Sequence, residues 1–437
     1  MNVAPEIAAA PAWPTAARLI ARWLDRRERI DALLDTLPRS LAGSERARCQ
    51  HLVLGVVRHF GRIDAALARL VAHQPRFSTR AVLFVAGFEL LEAASATDDP
   101  RAGRVAKIVH HAVEQTKALA SPAEARLVNA VVRKLAGVLP KAAPATDAGA
   151  GELAEFFSHP EWLVRSWLAQ FGPEATRALL EWNQQPAPVY ARWRPSSGNP
   201  STTAGALEDS PERCAKIRLS PDIGGRSLLA GDSEKSEPAE SPASKLLPQS
   251  KSVCSIPATG TGDIPEAAPA GSASVPDFLK PTRWPGFYEV ESGRWPEVEP
   301  VLKSGRIYLQ DPATRLPVDL LAPKPGENVL DLCAAPGGKS LLIADRMRPE
   351  GTAAPAGQLV AVDLPGTRIE RLKSNLSRAE GVKVALVQAD LLEDLGSVLR
   401  AHRLPLSYAA VLIDVPCTNT GVMRHRVDVK WRLQAGD

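Results

Sequence analysis

The sequence predicts a multidomain chain with an all-α domain first, then a small α+β section, and finally a doubly wound, parallel α/β sheet. Three observations carry this expectation. Apolar residues recur at three- and four-residue spacing from Thr15 to Leu139, the period of amphipathic helices. Residues 195–276 hold 11 prolines in 82 positions and show little periodicity. From Pro325 onward, short apolar runs alternate with helical patterns, which implies parallel strands joined by helices.

Length and composition set the frame. A chain of 437 residues has room for about three domains. Its 45% hydrophobic and 23% charged residues are the balance of a globular protein. No apolar run reaches about 18 residues, which excludes a membrane span. The first residues, MNVAPEIAAAPAWP, lack the basic region and apolar core of a signal peptide, so a cytoplasmic location is expected. The net charge of +4 is unevenly spread: residues 1–140 carry 20 Lys and Arg against 13 Asp and Glu. A basic module joined to a mildly acidic remainder suggests a polyanionic partner, with a solvated helical surface as the plain alternative.

In the helical region, Ala16, Leu19, Ile20 and Trp23 form one stripe and Leu52, Val53, Val56 and Val57 another, while Pro75, Pro100 and Pro122 separate helices. Residues 1–14 are read as a disordered N-terminus, 15–140 as the helical domain and 141–150 as a linker. Residues 151–194 begin the small domain, with an amphipathic helix over Glu161–Asn183 and a strand marked by Val189, Ala191 and Trp193. Residues 195–276 are read as a disordered insertion, too poor in apolar residues to offset its ordering entropy. Residues 277–322 complete the small domain, and 323–437 form the α/β domain. There ENVLDLC, GQLVAVD, VKVALVQAD and YAAVLIDVPC read as four strands, with helices over Gly338–Met347 and Arg368–Ala379 between them.

The five cysteines are Cys49, Cys214, Cys254, Cys333 and Cys417, with no CxxC pair and no histidine cluster, so neither a metal site nor a disulfide framework is expected. Cys214 and Cys254 fall in the insertion and are read as inert. Cys333 and Cys417 lie inside motifs.

The first motif runs from Asp331 to Ser340 and opens a helix directly after a strand. Its small residues let the backbone approach a ligand, and the helix start favours anionic or electron-rich groups. A phosphate-binding loop needs glycine where Cys333 stands, and the dinucleotide fingerprint GxGxxG is missing, which nearly excludes a nicotinamide-dependent oxidoreductase. The variant of this architecture that binds S-adenosylmethionine remains. A ligand-free strand–helix turn is the plain alternative.

Acids close the successive strands. Asp363 is placed to accept both ribose hydroxyls and Asp390 to accept from an adenine amino group, while Asp414 ends the fourth strand. One such aspartate is usually a cap or turn residue; three along one sheet edge weaken that reading. Asp414-Val415-Pro416-Cys417 is the expected chemical centre. Thiolate addition at carbon 6 of a pyrimidine turns carbon 5 into a nucleophile able to attack a sulfonium methyl, and the base must be extruded to be reached. A small buried cysteine is the alternative for Cys417.

The strings ENVLDLCAAPGGKS, AVDLPGTRIERLKSNLSRAEG and IDVPCTNTGVMRHRVDVKW closely resemble the RsmB/Sun family of RNA 5-methylcytosine methyltransferases. QDPATRLPVDLLAPKPGENVL resembles that family's entry to the catalytic domain, and HPEWLVRSWLAQFG its preceding small domain. CQHLVLGVVRHFGRIDAAL and ARLVNAVVRKL resemble the NusB-like RNA-binding domain that begins the RsmB branch. The resemblance spans about 350 of the 437 positions. It implies a Rossmann-like methyltransferase domain, incomplete after strand four, with S-adenosyl-L-methionine as cofactor.

Carried over by motif, the resemblance puts the donor loop on Cys333, Ala334, Ala335, Pro336, Gly337, Gly338 and Lys339. It puts the ribose acid on Asp363, the adenine contact on Asp390, and the acid beside the reacting base on Asp414. Cys417 matches the cysteine that assists release of the adduct. The nucleophile belongs to a later Thr-Cys-Ser motif, expected beyond residue 437, so the chain as given is expected to be truncated and inactive, with strand four an exposed edge. Cys417 acting as nucleophile, as in DNA cytosine methyltransferases, is a second mechanism. The expected partner is RNA, foremost small-subunit ribosomal RNA, met by a monomer with no metal and no membrane. A non-catalytic RNA-binding or assembly factor is the rival class, distinguishable by RNA binding without cofactor binding.

Overall fold

The computed structural model describes residues 12–38, 40–95, 101–139, 142–194, 217–218, 275–349 and 357–436. It divides into two units, one of residues 1–187 with 416–437, the other of residues 188–415.

The first unit is helical. Its elements are α1 (Ala12–Arg26), α2 (Ile30–Asp35), α3 (Gly43–Arg58), α4 (Phe60–Ala68), α5 (Phe77–Ser95), α6 (Arg101–Leu119), α7 (Pro122–Val138), α8 (Ala150–Phe156) and α9 (Glu161–Gln184). Helix α5 is apolar nearly all round and is buried along its length, touching α1, α3, α6 and α7, as a helix without a polar face must be. Trp23, Phe84, Ile20, Leu52, Ile63 and Leu135 form the fully buried centre. Helix α7 starts on a capping arrangement: Ser121 Oγ accepts from the Glu124 amide at 3.3 Å, with Pro122 in the first turn. Helix α9 is broken at Gly172, where φ is +77° just before Pro173.

Residues 12–14 differ from expectation. They open α1 rather than precede the ordered chain, because the Trp13 indole is buried and its Nε1 donates to Glu89 at 3.0 Å. The last residues of the chain pack on these helices too. Val427 joins the helical core, Trp431 Nε1 donates to the Val57 carbonyl at 2.8 Å, and Lys430 Nζ to the Arg58 carbonyl at 3.0 Å. The stretch read as the end of the α/β domain therefore divides at residue 415. Sequence periodicity is blind to such long-range docking.

Among the described residues the second unit holds two four-stranded sheets and one two-stranded pairing. One four-stranded sheet is antiparallel, in the order β3 (Leu279–Pro281), β4 (Phe287–Val290), β1 (Tyr190–Trp193), β5 (Ile307–Leu309), with α10 (Trp295–Lys303) beside β5. Ala191 lies opposite Tyr288 on one side and Leu309 on the other. Of the proposed insertion only Ile217–Arg218, Val275 and Pro276 are described; the rest of that expectation lies outside the described residues. Ile217–Arg218 is β2, paired antiparallel with β9 (Ser407–Tyr408).

The other four-stranded sheet is parallel, in the order β10 (Ala410–Ile413), β6 (Asn328–Leu332), β7 (Gln358–Asp363), β8 (Lys383–Gln388). One rung runs Val411, Leu330, Val360, Ala385. Alternate strand residues point to opposite faces, and each face meets helices. Val329, Leu359 and Leu412 pack with α12 (Gly338–Met347), behind α11 (Arg315–Leu321); Leu330, Val360 and Val387 pack with Leu399 of α14 (Leu395–Ala401). Helix α13 (Ile369–Leu376) follows β7. This is the doubly wound sheet the sequence predicts, with β10 at one edge among the described strands.

Among the described residues no helix is long and apolar enough to cross a membrane, and no group of three or more His, Cys, Asp or Glu could hold a metal ion.

Candidate functional site

The strand ends β6 and β10 and the start of α12 surround a cavity of about 250 Å3 in the second unit. The backbone makes it possible. At the end of β6, Cys333 turns into the left-handed region at φ +60°, and Gly337 follows at φ +100°. A Cβ on Gly337 would stand 2.9 Å from Leu372 Cδ1, so only glycine lets the loop lie against α13. The Ala334 amide donates to the Val362 carbonyl at 3.0 Å and the Gly337 amide to the Ala334 carbonyl at 2.8 Å, closing the turn that delivers Gly338 to the first position of α12. Asn375 Nδ2 fastens the loop from behind, donating to the Pro336 carbonyl at 2.7 Å and to Tyr308 Oη at 3.0 Å.

Cys333, Ala334, Ala335, Pro336, Gly338, Lys339 and Asp414 line the cavity. Lys339 Nζ donates to Asp414 Oδ2 at 2.6 Å. Asp363 and Asp390 are not among its lining residues. Asp363 is buried and holds the loop instead: its Oδ2 accepts from the Ala335 amide at 2.8 Å and its Oδ1 from Arg368 Nη2 at 3.3 Å. A carboxylate has further lone-pair sites, so acceptance from a ribose is compatible with this role. Asp390 Oδ1 accepts from the Leu392 amide at 3.0 Å, the turn role that the plain alternative gives such residues.

Cys417 belongs to the first unit, whereas Asp414 belongs to the second. Its thiol is exposed, accepting from the Asn419 amide at 3.4 Å, and so is not the buried cysteine of the alternative. Cys49, by contrast, is buried and its thiol is pushed up to about 11 by loss of water, which leaves it inert. The Cys333 thiol is also pushed up, first by partial burial and then by the carboxylates of Asp363, Asp331 and Asp414, so it is a poor source of thiolate.

Several cavity residues carried no assigned role in the sequence. Asp331, the fourth residue of β6, is buried and its carboxyl is pushed up to about 6. Loss of water is the main cause, opposed by the Ser340 hydroxyl, which donates to Oδ2 at 2.6 Å. The signal was available: a parallel strand is covered on both faces, so an acid inside its apolar run is buried. Tyr308, Gln310, Asp311 and Thr314 form the facing wall, from β5 and the turn after it. Gln310 connects that wall to a buried ion pair. Its Nε2 donates to the Gly338 carbonyl at 3.1 Å while its Oε1 accepts from Arg192 Nε at 2.9 Å. Arg192 pairs in turn with Asp345, which also takes Arg194 Nη2 at 2.8 Å. Nothing local in the sequence marks these partners, which lie more than 150 residues apart along the chain.

The donor set joins two acids, buried Asp331 and half-exposed Asp414, to the amides of a helix start, with Lys339 paired to Asp414. Such a site suits a ligand carrying both a positive centre and a carboxylate. S-adenosylmethionine, with its sulfonium, ammonium and carboxylate, fits this set.

Comparison with known proteins agrees with the architecture. A family model described as 16S rRNA methyltransferase RsmB/F matches residues 318–437, the NusB family matches 12–137, and an RsmF/B-like ferredoxin-like domain matches 159–222. The ribosomal RNA small subunit methyltransferase B of Sodalis glossinidius is 27% identical over 422 residues, covering 97% of this chain and 77% of that protein. The protein of the same name from Pasteurella multocida is 25% identical over 425 residues, covering 97% of this chain and 76% of its own. Among solved structures, that of PH0851 has a TM-score of 0.56 at 18% identity, covering 98% of this chain and 79% of that one, and shows the same fold.

Proposed function

We propose that the chain, whose matched domains are an RsmB/F methyltransferase domain, a NusB domain and an RsmF/B-like ferredoxin-like domain, is a methyltransferase of the RsmB/F family that methylates carbon 5 of a cytosine in small-subunit ribosomal RNA, using S-adenosylmethionine. The observation that carries the proposal is the cavity between the Cys333–Lys339 loop and the Tyr308–Thr314 wall, closed by the Lys339–Asp414 pair.

When bound, the cofactor supplies an electrophilic methyl group on a sulfonium. The residues of the chain do the rest. Asp331 and Asp414 favour a positive charge in the cavity, and the amides at the start of α12 favour the carboxylate end. Asp363 and Asn375 hold the loop in shape through Ala335 and Pro336. Asp414, half exposed beside Lys339, is the acid available to a base brought to the cavity mouth. Carbon 5 becomes nucleophilic only while a thiolate is bonded to carbon 6, the role that the resemblance gives to a cysteine of a Thr-Cys-Ser motif; after methyl transfer a base takes the carbon 5 proton, and the sulfur–carbon bond breaks to return the thiolate and restore the ring. Cys417 offers an exposed thiol for this cycle, in the release role that the resemblance implies. The basic helical unit would hold the RNA through its phosphates, so binding should fall steeply with salt.

The test is transfer of tritiated methyl groups from S-adenosylmethionine to unmodified small-subunit ribosomal RNA, followed by digestion and nucleoside chromatography. Label in 5-methylcytidine supports the proposal. Label in adenosine, or RNA binding by a chain that takes up no cofactor, assigns the protein to another class.

A further inference from the structure

A separate cavity of about 700 Å3 lies wholly within the first unit, in the size range of ligand sites. His51, Gly55 and His59 recur every four residues along α3 and its end, so they share one face. The Phe88 ring lies flat on Gly55, where a Cβ would meet it at 2.1 Å. Its centroid is 5.4 Å from the His51 ring and 5.8 Å from the His59 ring, the latter tilted by only 22°. The result is a row of three rings along the cavity, with His51 at the exposed end and Phe88 and His59 behind it.

Two guanidinium groups flank this row. Arg58 and Arg62 both line the cavity, and Arg62 lies 4.2 Å over the Phe156 ring. Burial and the neighbouring Arg424 push Arg58 down to about 10, which leaves it charged at neutral pH. Two buried donor or acceptor atoms here, Arg58 Nε and His59 Nδ1, have no hydrogen-bond partner. The nearby carboxylates are engaged: Glu92 with His51 at 2.6 Å and Glu155 with Arg69 at 2.5 Å. Rings set beside arginines, in a cavity that stays net positive, have the composition of a single-stranded nucleic-acid site.

We propose that this groove binds a single-stranded segment of RNA, with one unstacked base on the His51 ring, backed by Phe88 and His59, and the adjoining phosphate on Arg58 and Arg62. The inference rests on the reading of the protein as an RNA enzyme and adds a binding subsite independent of the cofactor cavity.

The test uses the full chain and a fluorescein-labelled, mixed-sequence 12-nucleotide oligoribonucleotide carrying 4-thiouridine. Anisotropy is read between 50 and 200 mM KCl, and photo-crosslinks are mapped by mass spectrometry. His51→Ala should weaken binding about five- to a hundredfold, the range for loss of one stacked base. Arg62→Gln should weaken it and flatten the salt dependence by about one phosphate contact. Arg165→Gln, at an exposed side chain of α9, should change little. Crosslinks should fall on α3 or α5. If the oligonucleotide binds but both groove variants keep wild-type affinity and the crosslinks lie elsewhere, the groove assignment falls while the RNA reading stands. If the wild-type chain binds no RNA at 50 mM KCl, both fall. A dimer that His51→Ala disrupts would give the groove to a second copy and overturn the proposal.

Discussion

Lys339 Nζ donates to Asp414 Oδ2 at 2.6 Å and so ties the first turn of α12 to the end of β10, across 75 residues of chain. The pair is partly exposed, with 24% of the Lys339 and 52% of the Asp414 side chain accessible, so solvent screens it and it contributes little to stability. Asp414→Asn should therefore leave the thermal midpoint within about 3 °C of wild type. Methyl transfer should fall by about a hundredfold or more if Asp414 moves or holds a proton on the base. Parallel thermal scans and single-turnover transfer assays separate the two effects.

Asp331 should make binding of the proposed cofactor pH dependent. Its carboxyl is pushed up to about 6, so the folded chain holds that proton more tightly than the unfolded chain does. Stability from this group is thus highest at low pH and is lost as pH rises from about 4 through 6. A cationic ligand favours the ionised form and reverses the preference. Affinity for S-adenosylmethionine should rise as pH increases through about 6 and then level off, with proton release visible as a buffer-dependent calorimetric heat. Asp331→Asn should abolish the step.

Gly337 sits at φ +100° with Leu372 Cδ1 2.9 Å from where a Cβ would stand. Gly337→Ala should destabilise the second unit by about 1–3 kcal/mol, from strain in the backbone and the close approach together. Urea denaturation followed by hydrogen exchange in α12 and α13 measures this.

Asp345 is the shared partner of Arg192 and Arg194, all three side chains being under a tenth exposed. Asp345→Asn strands two buried guanidinium charges and should cost about 3–5 kcal/mol. Because Arg192 also holds Gln310, which holds the Gly338 carbonyl, cofactor affinity should weaken as well. Arg194→Lys keeps a charge on Asp345 but loses the forked geometry and should give a smaller loss.

The strand–loop–helix units were legible because each is local: the Gly338–Met347 helix has the bounds its apolar spacing and preceding glycines indicate. The turn from Cys333 to Lys339 was legible for the same reason, its small residues marking a tight passage from strand to helix. Asp331 headed the loop motif without an assigned role, because that role comes from burial by neighbouring strands and from Ser340, nine residues on. Gln310, Arg192 and Asp345 meet only in the folded second unit. The docking of Lys430 and Trp431 on Arg58 and Val57 is likewise set by contacts more than 370 residues apart, beyond any local pattern. Asp363 shows a subtler gap, its position being readable but not its attachment to the Ala335 amide.

The central claim is that the cavity under the Cys333–Lys339 loop holds S-adenosylmethionine. Calorimetric titration of the full chain, paired with hydrogen exchange, tests it most directly. One site per chain is expected, with slowed exchange over residues 333–340 and loss of both in Gly338→Val, whose side chain would grow from a Cβ already 3.3 Å from the Tyr308 ring. Absence of binding heat with unchanged exchange in the loop, or binding that Gly338→Val leaves intact, would contradict it.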